Sequence, residues 1–417
     1  MSLIFSRLPI LSLLVAIAGC SEAPGTPPPA YAKYLGDAFP NPYAKIPWPQ
    51  HEFAITSDNG SDTLTAIDLQ SHGVIAKLPV GRNPVDNDGP HHLAIDLKGN
   101  HVFVALAYPA PTTAPGPHAR HGSSVLSGFV QRLDLATLRI DGELPIEPNP
   151  GDIVLSQDGK RLVVSHFDLA RANQKTLSLH DRRGNISLIL DPGTLGDAAP
   201  AEPTLIRTCL LPHGIALTRP DGALAVVACY GEDSIALVDL NQPKLEPQLI
   251  AVGPAPGPTG TPVYGPYSAV LSPDGTRVAV GNTEKGDVRF LDVFAKTMQP
   301  LVIANGLPGK PYFMAWRADG AQLWIPTQQQ DAIVRADAAT GEILAARKFG
   351  ADQCVRPHEA QLSKDDIDLL VVCEGGHGGL AAPTHGKVLV LDPQTLVTRA
   401  EIATGIYPDR LAIARVP

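Results

Sequence analysis

Charged and aromatic side chains are scarce in this sequence. Only 18% of the 417 residues are charged, 5% are aromatic, and methionine occurs three times. Because Lys, Arg, Glu and Met are good helix formers, the low charged and methionine content argues against a helical protein. The formal net charge of −9 argues against binding to nucleic acid, which normally requires a basic surface. The sequence also lacks a Cys-x-x-Cys-His motif, which excludes covalently attached c-type haem.

The apolar run near the N-terminus is too short to cross a membrane. Leu8 to Ile17 covers about ten residues, half of what a bilayer requires, and follows a basic segment as in a signal peptide. The string Ile17-Ala18-Gly19-Cys20 resembles the lipobox of bacterial lipoproteins, in which the cysteine becomes the lipidated first residue. Under the sorting rules of such lipoproteins, Ser21 favours the outer membrane. We therefore expect a signal peptide over 1–20, a lipid on Cys20 and anchoring in the cell envelope, facing the periplasm or the surface.

Proline and glycine, in contrast, are abundant. The chain has 41 prolines and 38 glycines, and eight of the prolines fall within residues 21–50. That density is typical of a semi-rigid, extended tether rather than a domain. Beyond His51 the hydrophobic content, 44% for the whole chain, is sufficient for a large core. We predict a turn-rich, all-β body over 51–417.

This body repeats one unit: a proline opens an apolar strand, a tight turn follows, and a second apolar strand returns. Four of the turns contain Asp-Gly, a strong hairpin signal. The complete units open at Pro90, Pro150, Pro212, Pro266, Pro311 and Pro357. A third strand closes each unit with an apolar residue and an aspartate, at positions 68, 134, 191, 239, 292, 337 and 392.

The count of seven aspartates against six complete openings predicts a closed ring. Pro408 opens one more strand at the C-terminus, which has no return, while the segment from Phe53 to Leu78 supplies the missing strands. Sharing one blade between the two ends removes the exposed sheet edges of an open array. The openings are roughly 45–62 residues apart, which suits a four-stranded propeller blade. The prediction is a seven-bladed β-propeller in which N-terminal strands join the C-terminal strand.

The repeat resembles that of the YVTN-type seven-bladed β-propeller family. Ser272-Pro273-Asp274-Gly275 is the best match, and the similarity extends from about residue 51 to the end, although the Tyr-Val-Thr-Asn string itself is absent. The resemblance implies the fold more strongly than any function. Members and neighbours of this superfamily include periplasmic binding proteins, lactonases, and propeller subunits of redox enzymes that hold copper or haem.

Four cysteines beyond Cys20 occur in two equivalent arrangements. Cys209 and Cys354 each precede an opening proline and histidine, and Cys229 and Cys373 each end the returning strand. The partners lie within about three residues of register, a range that favours the disulfides Cys209–Cys229 and Cys354–Cys373 in an oxidising compartment. The alternative is Cys-x3-His metal ligation, which requires reduced thiolates.

The histidines are distributed unevenly between the two faces expected for the propeller. We define the top face as the one where the innermost strands begin. Of the 13 histidines, ten map to this face or its loops: His91, His92, His118, His121, His166, His180, His213, His358, His377 and His385. Imidazole is the commonest metal ligand and also a haem ligand, so a metal or cofactor site at the top centre is credible. Openings of this kind also accept His, Tyr or Glu for structural reasons alone.

The resulting hypothesis is a ligand- or protein-binding scaffold that uses its His-rich top face. We predict that a polar ligand or protein partner contacts His91, His92, Asp152, His166, His213, Tyr267, Tyr312, His358, Arg356, Asp409 and Arg410. A redox protein with a transition metal on His91, His213 and His358 is the first alternative. A lactonase-like hydrolase is the second. The sequence specifies neither the ligand nor a catalytic residue.

Overall fold

The computed structural model describes residues 51–82, 87–96, 98–108, 124–197, 202–254, 262–304, 306–376 and 384–414. The predicted signal peptide, Cys20 and the tether over 21–50 lie outside the described residues, as do His118, His121 and His377. Among the described residues, no helix is both long and apolar enough to cross a membrane.

Almost all regular structure in the described residues is antiparallel β-sheet. The first strands are β1 (Phe53–Asp58), β2 (Thr63–Asp68), β3 (Gly73–Pro79), β4 (Pro90–Asp96), β5 (His101–Leu106), β6 (Gly128–Asp134), β7 (Arg139–Ile146), β8 (Pro150–Leu155), β9 (Arg161–His166), β10 (Gly184–Leu190), β11 (Thr204–Cys209), β12 (Pro212–Leu217), β13 (Leu224–Cys229), β14 (Ser234–Asp239) and β15 (Gln248–Ala251). The remaining strands are β16 (Pro266–Leu271), β17 (Arg277–Asn282), β18 (Asp287–Asp292), β19 (Thr297–Ile303), β20 (Lys310–Pro311), β21 (Ala315–Trp316), β22 (Gln322–Gln328), β23 (Ala332–Asp337), β24 (Ile343–Lys348), β25 (Pro357–Leu362), β26 (Leu369–Cys373), β27 (His385–Leu391), β28 (Thr398–Ile406) and β29 (Pro408–Ala414). Two short helices, α1 (Leu169–Ala172) and α2 (Leu179–Arg182), follow β9.

The strands form seven separate sheets, which confirms the predicted seven-bladed propeller. Six sheets have four strands each, and in the seventh the innermost strand is split into β20 and β21, both paired with β22. Each innermost strand contains the proline that the sequence predicted as its opening. These strands are β4, β8, β12, β16, β20 with β21, β25 and β29.

The ring closes between the two ends of the described chain, as predicted. Strand β29 is innermost in its sheet and pairs with β1, and β1 pairs with β2. Phe53 lies opposite Ala414, and Ile55 lies opposite Ala412. Because β1 begins where β29 ends, residue 53 lies at the lower end of the propeller, opposite the top face where the innermost strands begin. The closure completes a four-stranded blade from the two ends of the described chain, so that neither β29 nor β1 is left without a partner strand.

Hydrophobic clusters fill the spaces between neighbouring blades. One cluster joins Leu64 and Leu78 of the closing blade to Val102 and Val104 of the next blade, all fully buried. Each such side chain contributes roughly 1.5–3 kcal/mol on burial.

Six of the seven repeat aspartates accept backbone N–H groups in the turn to the outermost strand, as predicted, at Asp68, Asp134, Asp239, Asp292, Asp337 and Asp392. Asp191 is the exception: its backbone is left-handed, with a φ of 47°, and its side chain makes no cap.

Both predicted disulfides are present. Cys209 bonds to Cys229 and Cys354 bonds to Cys373, with Cα–Cα distances of 5.8 and 5.3 Å. The alternative of thiolate–histidine ligation is therefore wrong for these four residues. Each bridge ties the segment before an innermost strand to the end of its neighbouring strand. Two disulfides are typical of a protein that works outside the cytoplasm, and we assign the chain to that environment.

Candidate functional site

Two successive positions of each innermost strand build the centre of the propeller. In most blades the pairing register shifts directly after the opening proline, so that two consecutive side chains approach the axis. We call the residue after the proline the first axial layer: His91, Gly151, His213, Tyr267, Tyr312, His358 and Asp409. The next residue forms the second axial layer: His92, Asp152, Gly214, Ser268, Phe313, Glu359 and Arg410.

Four of the predicted histidines meet in these layers. His92 is central: its ring centroid lies 4.3 Å from that of His91, 5.7 Å from His213 and 6.0 Å from His358. His213 also stacks on Tyr267 at 3.7 Å. All four imidazoles are fully buried. The structure therefore brings these predicted residues together, inside the protein rather than on an open rim.

Carboxylates hold two of these rings. The Nδ1 atom of His91 lies 2.7 Å from Oδ2 of Asp409, and that of His92 lies 2.8 Å from Oδ1 of Asp152. Burial lowers the pKa of His91 to about 3, although Asp152 partly opposes the shift. Burial also raises the pKa of Asp409 well above its ordinary value, with a further contribution from Glu374. His91 is thus neutral at physiological pH, with Nδ1–H donated to the carboxyl group.

His358, Glu374 and Asp409 form a compact, buried group of potential metal ligands. One donor atom from each residue lies within 4.8 Å of the other two, and all three residues are buried. The Nδ1–H of His358 donates to the backbone carbonyl of Asp409 at 2.6 Å. Burial lowers the pKa of His358 to about 4, and Nε2 of the neutral ring lies 4.0 Å from Oε1 of Glu374. A neutral imidazole and two carboxylates suit a divalent transition metal.

Aromatic and aliphatic side chains pack over the histidines from the top. Phe167 follows β9, and its ring centroid lies 5.4 Å from that of His213. It belongs to a buried cluster with Leu210, Leu211 and Tyr312. Helices α1 and α2 contribute Ala172, Leu169 and Leu179 to the same cluster. Within the described residues, the predicted top mouth is therefore filled by large apolar side chains.

An axial cavity lies at the lower end instead. Its volume is about 250 Å³, and its walls come from the ends of innermost strands and from the turns that follow them. Glu359, Arg410 and Phe313 of the second axial layer reach into this cavity. The Nη1 atom of Arg410 lies 3.3 Å from Oε1 of Glu359, and the guanidinium lies 4.6 Å from the centre of the Phe313 ring. Burial raises the pKa of Glu359 to about 7, against the influence of Arg410.

Several predicted site residues lie away from the axial centre. His166 is buried within its own blade, with Nε2 2.8 Å from the Ser187 hydroxyl and Nδ1 3.2 Å from the Pro148 carbonyl. Arg356 is an intermediate case: its backbone N–H donates to Asp331, and its positive charge acts on the buried phenol of Tyr312 in the first axial layer, where it opposes the effect of burial on the pKa. His180 and His385 are exposed. Tyr267 and Tyr312 do join the centre, where burial raises the pKa of both phenols.

Sequence reasoning missed Glu374 and the role of Phe167. Glu374 directly follows Cys373, and Cys373 lies opposite Pro357 in the pairing of β25 with β26. That register places Glu374 at the top end beside His358, and the sequence contained this signal. Glu374 also accepts a hydrogen bond from Nε2 of Gln328 at 2.9 Å, across a blade boundary. Contacts between blades of this kind have no sequence signature.

Comparisons with known proteins agree on the architecture. No family model matches the chain. The protein NirF of Stutzerimonas stutzeri is 25% identical over 300 residues, which cover 68% of this chain but 63% of NirF, less than two thirds of its length. The structure of the periplasmic gluconolactonase PpgL of Pseudomonas aeruginosa aligns with a TM-score of 0.61 and 17% identity, over 88% of this chain and 100% of that one. Hydrazine synthase of Kuenenia stuttgartiensis aligns with a TM-score of 0.53 and 18% identity, over 78% of this chain and 93% of that chain. At these identities the structural likenesses establish the fold, and the chain is a β-propeller protein.

Proposed function

We propose that this chain is an envelope-anchored binding protein whose axial centre holds a divalent transition metal. The observation that carries the proposal is the buried group of His358, Glu374 and Asp409, with one donor atom of each within 4.8 Å of the others. A bound cation would offset the negative charge that the Glu374 and Asp409 carboxylates bring into this buried group. His91 would orient Asp409 from outside the ligand set, as histidine–carboxylate pairs do around metals. The lipid on Cys20, the outer membrane and a protein partner at the top face belong to the same proposal.

This ligand set differs from the one predicted from the sequence. The prediction used His91, His213 and His358, whereas the proposed set keeps only His358. The Nδ1 atom of His91 faces Asp409 at 2.7 Å, and His213 stacks on Tyr267. The two carboxylates bring negative charge that offsets the positive charge of the metal. The imidazole makes the site prefer Zn²⁺, Fe²⁺ or Mn²⁺ to Ca²⁺.

Metal analysis of the full chain, purified in detergent from the envelope, tests the proposal. We expect one equivalent of metal per chain, and rebinding of Zn²⁺ or Mn²⁺ after chelation. His358→Ala and Glu374→Gln should each lower Zn²⁺ affinity by about 100-fold or more, since each removes a ligand. His166→Ala is the matched control, because His166 is equally buried but lies outside the group. A folded wild-type protein that binds no stoichiometric metal, or equal losses in His358→Ala and His166→Ala, would contradict the proposal.

A lactonase-like hydrolase is the second candidate. The solved structure of PpgL, described as a periplasmic gluconolactonase, shares the fold, and the axial cavity contains the carboxylate of Glu359 beside the guanidinium of Arg410. A carboxylate can activate water, and a cation can stabilise the oxyanion of the opening ring. Turnover of glucono-1,5-lactone that Glu359→Gln abolishes would support this candidate. A rate no higher than the spontaneous hydrolysis would remove it.

A further inference from the structure

The axial cavity is lined by apolar residues together with the partly buried cation of Arg410. Ten of its fifteen lining residues are apolar, among them Ile215, Ala269 and Met314. The polar minority includes Arg410, whose side chain is 17% exposed. A space of about 250 Å³ that presents both polar and apolar surface favours a small ligand with a polar group at one end and an apolar body at the other.

The guanidinium of Arg410 has unused hydrogen-bonding capacity. A guanidinium carries five N–H donors, yet Nη1 of Arg410 is buried and makes no hydrogen bond within the described part of the chain. Its ion-pair partner Glu359 lies 3.3 Å away but accepts its hydrogen bonds from other groups. The Leu411 backbone N–H donates to Oε2 of Glu359, and the Gln361 side-chain amide donates to Oε1. Glu359 therefore balances the charge of Arg410 but does not accept a hydrogen bond from its Nη1 atom.

Stacking fixes the direction of this cation. The guanidinium carbon of Arg410 lies 4.6 Å from the centre of the Phe313 ring, and a cation–aromatic contact of this kind favours a defined orientation. A planar guanidinium held in place is suited to a carboxylate, which can accept two parallel N–H bonds. A single negative charge is favoured over two, because the Glu359 carboxylate is already close.

We propose that the axial cavity binds a small amphipathic carboxylate, with its anionic group on Arg410 and its apolar body against Ile215, Ala269 and Met314. The site lies below the histidine layer and is separate from the metal ligands proposed above. It does not require bound metal. The proposed ligand differs from a sugar lactone, the substrate of the second candidate function, because it has a carboxylate and an apolar body in place of a ring with several hydroxyl groups.

Calorimetric titration of the full chain with three probes tests the inference. The probes are hexanoate, hexanamide of the same length without the charge, and gluconate with the charge but without an apolar body. We expect hexanoate to bind once per chain, and both other probes to bind at least tenfold more weakly, with or without prior metal loading. Equal affinity for hexanoate and hexanamide, or preference for gluconate, would overturn the proposal.

Two arginine variants locate the anion. Arg410→Gln should lower hexanoate affinity at least tenfold and leave hexanamide affinity unchanged. Arg219→Gln is the matched control, because Arg219 also lines the cavity but is exposed and donates to the Pro273 carbonyl. It should change hexanoate affinity by no more than about twofold, in line with a solvent-screened charge. An equal or larger loss in Arg219→Gln would contradict the assignment.

A third variant keeps the inference testable if Arg410→Gln fails to fold. Ala269→Leu adds three carbon atoms to the cavity wall and leaves Arg410 in place. Thermal unfolding monitored by circular dichroism reports whether each variant is folded. Folded Ala269→Leu should lose hexanoate binding by at least tenfold, and wild-type affinity in this variant would overturn the proposal.

Discussion

The two ends of the propeller axis are built from the same innermost strands but differ in packing. At the top, His91, His213 and His358 are fully buried beneath a cluster that includes Phe167. At the lower end, a cavity of about 250 Å³ remains between the same strands. The top also contains both disulfides, each beside the start of an innermost strand.

Side-chain size accounts for this difference. The first axial layer carries six side chains larger than hydrogen, five of them rings, and these fill the space around the axis. Further down, several cavity positions are small, including Ala216 and Ala269. Interiors close-pack wherever side chains are large enough to meet. Within the described residues the top is therefore filled by side chains, whereas the lower end keeps a cavity of a size that suits a small ligand.

Removing the disulfide between Cys354 and Cys373 should have the largest effect on stability and should act mainly on the top of the propeller. Cys354→Ala combined with Cys373→Ala opens a loop of 19 residues, which lowers the free energy of unfolding by about 3 kcal/mol. Since this bridge immobilises the segment before His358, we expect Zn²⁺ affinity to fall with it. Denaturant unfolding and Zn²⁺ titration of the variant provide the two measurements.

Hexanoate binding is the internal control for that variant. Arg410 and the proposed apolar contacts belong to other blades, and only Glu359 and Gln361 of the cavity belong to the bridged blade, so hexanoate affinity should stay within about twofold of wild type while the protein is folded. If Zn²⁺ and hexanoate affinities fall together by the same factor, the two ends of the axis are not independent and the comparison fails.

Adding a single methyl group should distinguish the two ends next. A Cβ at Gly151, in the first axial layer, would lie 2.9 Å from the Ser165 hydroxyl oxygen and 3.0 Å from Cδ2 of His213. Hydrogen bonds to Asp152 and His213 hold this hydroxyl in place, so Gly151→Ala should cost about 2 kcal/mol of unfolding free energy. Val154→Ile adds one methyl group to a half-buried side chain that lines the cavity and should cost less than about 1 kcal/mol. Thermal or denaturant unfolding of the pair checks the order, and equal costs would mean that the lower end is packed as tightly as the top.

The fold could be predicted from the sequence because the signals of each repeat lie within one short segment of chain. Each opening proline, each turn and six of the seven capping aspartates act within their own blade, so their signals occur in short stretches of chain. Ring closure followed from counting, since Pro408 opened a strand that only the N-terminal segment could complete. The disulfides followed from hairpin register between Cys209 and Cys229 and between Cys354 and Cys373.

The candidate site could be predicted from the sequence only in part, because it depends on contacts between blades. Sequence position places His91, His92, His213 and His358 near the axis but does not show that Phe167 covers them. Nor does it reveal that Asp409 faces His91 across 318 positions of sequence. The ligand site was expected at the top face, but the position of the cavity depends on how side chains of different size fill successive layers. Periodicity contains no information on that filling.

Two carboxylates at the same repeat position provide the finest test of the comparison. Asp152 and Glu359 each lie two residues after an opening proline, and each accepts a backbone N–H of the next blade, from Ile215 and Leu411. Asp152 also accepts the backbone N–H of Ile153 at 2.9 Å and pairs with His92. Its oxygens therefore face fixed donors on both sides, and the amide nitrogen of an asparagine at this position would have to point at one of them.

Asp152→Asn should consequently cost about 2 kcal/mol of unfolding free energy, the penalty for one buried donor left facing another. Glu359→Gln should cost less than about 1 kcal/mol, because the partner at Oε1 is the rotatable amide of Gln361, which can turn its oxygen toward the new amide. Denaturant unfolding of the two single variants and the double variant measures both costs, and additivity is expected if the carboxylates act separately. A larger cost for Glu359→Gln would show that the ion pair with Glu359, more than contact with solvent, stabilises the charge of Arg410. It would also show that the lower end tolerates substitution no better than the top.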